Sequence, residues 1–270
     1  MPTMRVNDVE LYYELHGPQD ADVLVLSNGV LMSTASWAAQ VPFLSRDYRI
    51  LLYDCRGMWQ SEHPQGPYSM EMHADDLAAL LKALEIESAH IAGISYGAEI
   101  SLLFGIKYPH MTRSLIIASA VSHVDPLLDG FMQGWIAATR SRDPELLFQV
   151  TYPLNFSERW ITANCEALKA ARKRYQDLDF NAFLELLISF SSLNITADLH
   201  KISAPTLVIS AEEDLLKPRK YSDIITREIP QAELVSIPAS GHAVCWEQPV
   251  LFNEVIQGFL SRITASARQA

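Results

Sequence analysis

Short unbroken apolar runs occur at residues 23–26, 50–53, 90–94, 115–118 and 206–209, each bounded by polar or small residues. Runs of that length, without alternation, are the pattern of strands covered on both faces. Ahead of them, residues 9–15 alternate apolar and polar positions after the turn signal Asn7-Asp8, which predicts that the chain opens with an antiparallel hairpin. Between the runs the period lengthens to that of a helix, most clearly over residues 70–84, where Leu77, Leu80, Leu81 and Leu84 share a face. Strand and helix in alternation imply an α/β protein with a mostly parallel central sheet flanked by helices.

After Ala120 the rhythm breaks. Residues 121–200 hold no convincing strand pattern but several amphipathic segments, including 129–139, 164–175 and 180–190. The strand pattern resumes at Ala204-Pro205-Thr206 and again at 233–237. The expected organisation is one core domain, residues 1–120 and 201–270, interrupted by a helical cap at 121–200. Residues 265–270 read as a frayed end.

Composition narrows the picture. With 49% hydrophobic residues among 270, a sizeable core is available without metals or disulfides. The net charge of −11 repels phosphate backbones and anionic lipid surfaces, so nucleic-acid and membrane partners are set aside. Three cysteines, Cys55, Cys165 and Cys245, show neither metal-ligand spacing nor a CxxC pair and read as free thiols. Residues 1–20 lack an apolar signal-peptide core, and no run approaches the ~20 apolar residues of a membrane span. These features lead to the expectation of a cytoplasmic protein without metal or cofactor; a homodimer is compatible with them.

The chemistry is concentrated in three places. His90-Ile91-Ala92-Gly93-Ile94-Ser95-Tyr96-Gly97-Ala98 sets a G-x-S-x-G pentapeptide between an apolar strand and a helical segment, 98–108, the context in which that motif presents a nucleophilic serine on a sharp turn. Residues two before and two after such a serine come so close that only glycine fits, and Gly93 and Gly97 meet the requirement. The turn also aims the amide of Tyr96 at a developing oxyanion.

A serine hydroxyl needs an imidazole to accept its proton. Of eight histidines, His242 follows the apolar run 234–237 in Ala239-Ser240-Gly241-His242, a loop at a strand end where α/β folds assemble their sites. His16, His63, His73, His90, His110, His123 and His200 lie in strand, turn-like, helical or cap settings. The carboxylate that orients the base is sought in Ala211-Glu212-Glu213-Asp214, after the strand beginning at Thr206. Asp214 is preferred over Glu212, Glu213 and Asp125, and the chain order Ser, Asp, His then matches that of the nucleophile-elbow hydrolases. A second oxyanion donor should come from the loop after an early strand; Leu26-Ser27-Asn28-Gly29-Val30-Leu31 occupies that place, with the amide of Val30 as donor.

Taken in order, the oxyanion turn with Trp37 after it, Tyr53-Asp54-Cys55-Arg56-Gly57 with Ser61, the serine elbow, the acid loop and Gly241-His242 resemble the α/β-hydrolase superfamily along nearly the whole chain. The oxyanion turn, with Asn28 in place of histidine, and the short cap are similar to 3-oxoadipate enol-lactonases and carboxylesterases near them, which implies hydrolysis of a small ester or lactone. Asn28-Gly29 followed by Ser33-Thr34-Ala35-Ser36-Trp37 is also similar to 3-hydroxyacyl transacylases and hydroxyalkanoyloxyalkanoate synthases, which implies acyl transfer to an alcohol or thiol as the alternative. Carbon–carbon bond hydrolysis, or a non-enzymatic receptor on the same scaffold, are further readings. Asn28, Leu31, Trp59 and Trp135 are the substrate-contact candidates. Trp59 stands where many members carry a glycine, and Ala211 where the acid loop often has one. Glu99 reads as a carboxylate suited to a helix N-terminus, with an electrostatic influence on the site as the alternative, and the basic cluster Lys169, Arg172, Lys173, Arg174 as a solvated helix face, with attraction of a carboxylate or phosphopantetheine substrate as the alternative.

Overall fold

The computed structural model describes residues 2–267. Its sheet has eight strands in the order β1-β2-β4-β3-β5-β6-β7-β8. The expected hairpin is present as β1 (Thr3–Val6) and β2 (Val9–His16), which pair antiparallel; β2 also runs antiparallel to β4 (Arg49–Tyr53). From there β4, β3 (Val23–Ser27), β5 (Ala89–Ile94), β6 (Thr112–Ala118), β7 (Thr206–Ala211) and β8 (Ala232–Ile237) are parallel. Every residue of β3, β5 and β7 is buried, which is why these segments read as continuous apolar runs rather than alternating ones.

The pleat sends successive side chains to opposite faces, and each face has its own core. On one, Val25, Leu51, Ile91, Leu115 and Ile117 cluster with Leu77, Leu80 and Leu81 of α1 (Met70–Ala83) and Ile100 and Phe104 of α2 (Tyr96–Lys107). On the other, Leu24, Leu26, Ile50, Leu52, Ile116 and Ile209 cluster with Phe252, Ile256 and Leu260. Those last three lie on the C-terminal helix Pro249–Ala267. This helix continues into the segment expected to fray; positions 268–270 lie outside the described residues.

The insertion between β6 and β7 holds helices α3 (Pro126–Ser141), α4 (Pro144–Asn155), α5 (Glu158–Ala163), α6 (Cys165–Arg174) and α7 (Phe180–Ser191), more than the three segments named from sequence. Its punctuation is chemical: the side chains of Asp125, Asp143, Ser157 and Asp179 accept first-turn amides of α3, α4, α5 and α7, each such cap being worth about 1 kcal/mol. Of the remaining helices the longest are α8 (Lys220–Glu228), between β7 and β8, and α9 (Pro249–Ala267), after β8. Among the described residues no helix is long and apolar enough to cross a membrane.

Candidate active site

Ser95 sits at the junction of β5 and α2 with φ 53° and ψ −123°, a left-handed conformation that costs a non-glycine residue energy and persists only where the surroundings impose it. They do. A Cβ on Gly93 would lie 2.2 Å from the carbonyl oxygen of Gly97, and one on Gly97 would lie 2.2 Å from that of Ser27. The two glycines thus let α2 back directly onto β3 and β5. Tyr96 opens α2, so its amide has no acceptor within the helix. Its phenol is buried between His73 Nε2 at 2.8 Å and Ser189 Oγ at 2.7 Å, a link from α1 through α2 to α7.

His242 and Asp214 meet at the ends of β8 and β7. The ring Nδ1 lies 2.8 Å from Asp214 Oδ2, and both side chains are at least 95% buried. The other carboxylate oxygen of Asp214 accepts the amides of Leu216 at 3.0 Å and Lys217 at 2.8 Å, so the acid loop wraps its own aspartate. Ser119 Oγ donates to the carbonyl of His242 at 3.1 Å. Gly241 is required on steric grounds, since a Cβ there would lie 2.5 Å from the backbone nitrogen of Ser157. The rejected carboxylates do other things: Asp125 caps α3 and binds Lys220 and Tyr221, Glu212 accepts the amide of Ala239, and Glu213 faces Arg159 at 3.7 Å.

The partner of Glu99 was not read from the sequence. Glu99, in the first turn of α2, is fully buried, accepts from Lys217 Nζ at 2.9 and 3.0 Å, and accepts the amide of Val121 at 2.9 Å. Burial pushes its pKa up, opposed by the Lys217 ammonium. Lys217 Nζ also donates to Ser95 Oγ at 3.3 Å and lies 4.8 Å from the centre of the Phe190 ring. Among the described residues Ser95 Oγ is engaged by this ammonium rather than by the imidazole, an interaction long enough to be weak. The signal was available in principle. A carboxylate on a helix with only buried neighbours needs a buried cation, and Lys217 is the charged residue of the Leu215-Leu216-Lys217-Pro218 stretch.

The loop after β3 is braced from below. Asn28 Nδ2 donates to the carbonyl of Tyr53 at 3.0 Å and to Asp54 Oδ1 at 2.9 Å, and its Oδ1 accepts from Trp37 Nε1 at 2.8 Å. The side chain is therefore consumed inside the protein, and Asn28 is absent from the cavity wall, contrary to the contact expected of it. Asp54 accepts the amide of Thr34 from the same loop at 2.9 Å and that of Gln60 from its own loop after β4 at 3.2 Å. Burial pushes its pKa up to about 6 against the pull of those donors.

Ser95 stands between two chambers. The larger, about 840 Å³, is lined by Val30, Leu31, Trp59, Trp135, His242 and Trp246, with the insertion adding Phe148, Tyr152, Phe156, Arg174 and Tyr175. The smaller, about 290 Å³, lies toward Tyr96, Leu187, Phe190 and Lys217, and shares Val30, Ser95 and Trp135 with the first. Of the residues named as substrate-contact candidates, Leu31, Trp59 and Trp135 line the wall of the larger chamber. Trp59, in place of a glycine, takes φ 40°. The basic cluster divides: Lys169 and Arg172 pair with Glu166 and Glu145 on the surface, whereas Arg174 turns inward over the Trp59 ring, 4.5 Å from its centre.

Comparison with known proteins agrees with this architecture. Residues 22–249 match the alpha/beta hydrolase fold family. The chain is 28% identical over 265 residues to a putative carbamate hydrolase RutD of Azorhizobium caulinodans, covering 97% of this chain and 99% of that one. It is 30% identical over 260 residues to a protein of the same description from Stutzerimonas stutzeri, covering 93% and 97%. Among solved structures, MGS-M2, an alpha/beta hydrolase enzyme from a Medee basin deep-sea metagenome library, superposes with a TM-score of 0.90 at 31% identity over 96% of this chain and 97% of that one. The enol-lactonase of Burkholderia xenovorans LB400 shares the fold, with a TM-score of 0.91 at 24% identity over 96% and 100%. With a serine-bearing strand-to-helix turn, a buried histidine–aspartate pair at the strand ends and a family match spanning most of its length, the chain belongs to the α/β-hydrolase fold family.

Proposed function

We propose that this protein is a serine hydrolase that cleaves a carboxylic ester or lactone through an acyl-serine intermediate, with Ser95 as nucleophile, His242 as base and Asp214 as the group that orients the base. The observation that carries this reading is the buried contact of His242 Nδ1 with Asp214 Oδ2 at 2.8 Å, on a wall shared with the strained Ser95. A carboxylate on Nδ1 fixes the imidazole tautomer that leaves Nε2 free to accept a proton.

In this scheme Ser95 Oγ attacks the substrate carbonyl as its proton passes to His242 Nε2. The Lys217 ammonium donates to Oγ and so leaves the hydroxyl's single proton available for that transfer. The amides of Val30 and Tyr96 hold the oxyanion. His242 then protonates the leaving alcohol, water enters, and the same groups reverse their roles to release the acid. The insertion between β6 and β7 acts as the cap, closing the apolar chamber over the reacting atoms.

The carbamate hydrolase relatives favour a second substrate class for the same machinery, since a carbamate presents the same kind of carbonyl. A panel of esters, lactones and carbamates separates the two, and partitioning of the acyl-enzyme between water and added alcohols or thiols detects acyl transfer. Ser95→Ala and His242→Ala should each lower kcat by ~10³-fold or more, and Asp214→Asn nearly as much, with far-UV circular dichroism unchanged. Parental rates in all three variants would remove the proposal.

A further inference from the structure

The apolar chamber contains one arginine whose charge has no carboxylate beside it. Among the described residues Arg174 pairs with no acidic side chain, although Lys169 and Arg172 on the same helix each do. Its guanidinium stacks on Trp59, and one of its nitrogens donates to Ser33 Oγ at 3.2 Å. A guanidinium carries five N–H donors in a planar fork, so most of its hydrogen-bonding capacity is unspent on protein. An ion facing a mainly apolar cavity without a carboxylate in contact costs free energy, and burial accordingly pulls the Arg174 pKa down, with Asp54 acting on it only from a distance. Stacking on an aromatic face offsets part of that cost. Trp59, the residue that supplies the face, is itself held at φ 40°, a conformation unfavourable to a bulky side chain. The desolvated cation and the strained residue it stacks on thus meet at one point of the chamber wall.

We infer that Arg174 is the anchor for a free carboxylate on the substrate, so that the preferred ester or lactone carries a second, unesterified carboxyl group. The planar fork matches a carboxylate with two parallel hydrogen bonds, and the remaining wall, built of Leu31, Trp135, Phe148 and Trp246, suits the carbon chain between the anion and the scissile carbonyl. In a protein of net charge −11, an anionic substrate approaches against the overall field, and a dedicated internal cation is the element that reverses this locally.

This assignment rests on the serine-hydrolase reading, and the test separates the two. The p-nitrophenyl monoester of adipic acid, an anion at pH 7.5, is compared with its methyl p-nitrophenyl diester, which is neutral and of similar length. The quantity followed is the ratio of kcat/KM for the anion to that for the neutral ester. In Arg174→Met this ratio should fall by about 10- to 100-fold, the usual loss for a charge-assisted hydrogen bond. The change should sit in KM rather than kcat, and Arg174→Lys should recover part of it. A ratio unchanged in Arg174→Met overturns the carboxylate anchor, whatever the absolute rates. Labelling of Ser95 by a fluorophosphonate in the same samples reports on the catalytic reading: absence of both labelling and turnover in the parent protein would overturn that reading, and the anchor with it.

Discussion

Lys217 and Glu99 are 3% and 0% exposed, and a buried ion pair of this kind has an asymmetric energetic signature. Removing one partner strands the other, at about 3–5 kcal/mol, whereas replacing both with apolar groups of similar volume is near neutral. Lys217→Met should therefore lower the free energy of unfolding in urea by roughly that amount, less whatever Glu99 recovers by taking up a proton, and Lys217→Met/Glu99→Leu should restore most of it. Equal destabilisation by the single and double variants would mean that the pair does not act as a unit. At this scale the sequence was legible where a motif fixes a residue's place, as with Ser95, Gly93, Gly97, Asp214 and His242. It was not legible where the role depends on which way a side chain turns. Arg174 sits in a run of basic residues and differs from Lys173 only by its angle on α6. Asn28 stood among the substrate-contact candidates because the acceptors that consume it, Tyr53 and Asp54, arrive from the end of another strand.

The strands were legible because burial on both faces writes itself as composition, and the register of β3, β5 and β7 follows. The insertion was harder. Pro144 and Pro153 border or interrupt α4, and α5 is only six residues long, too short to establish a helical period. The turn from β5 into α2 is where one element's geometry controls another's. A methyl on Gly97 would press on the carbonyls of Ser27 and Asn28, at 2.2 and 2.7 Å, and force the oxyanion loop away from α2. Gly97→Ala should thus cost about 1–3 kcal/mol or more in stability and, by separating Val30 from Tyr96, about 10²-fold in kcat. Differential scanning calorimetry and steady-state kinetics check both; a variant with parental Tm and kcat would show that the loop does not rest on the helix.

Across the whole molecule, acid should act through buried imidazoles. Burial holds His90 down to about 4 and His73 down to about 3, against an ordinary value near 6.5. At neutral pH both are uncharged folded or unfolded; as pH falls below about 6.5 only the unfolded chain takes up the protons, so the folded state loses stability progressively until the folded values are reached. Each imidazole contributes about 1.4 kcal/mol per pH unit in that window. Asp54, raised to about 6 by burial, works in the opposite sense because the folded state protonates first, so a variant comparison is needed. Urea unfolding between pH 7 and 5 should show the parent losing ground to His90→Asn at that slope, and parallel curves would exclude the effect. Mechanical connection between core and insertion is equally uneven. α7 buries Phe183, Leu186, Leu187 and Phe190 and is tied by Ser189 to the Tyr96 phenol, while α5 and α6 contribute no fully buried residue. The segment least held by burial is therefore α6, with Arg174 at its end, whereas α5 is capped by Ser157, which Glu247 holds through its amide and hydroxyl. If a guest pairs with this guanidinium, it also touches the least buried part of the insertion, so its binding should slow amide hydrogen exchange in α6 before anywhere else.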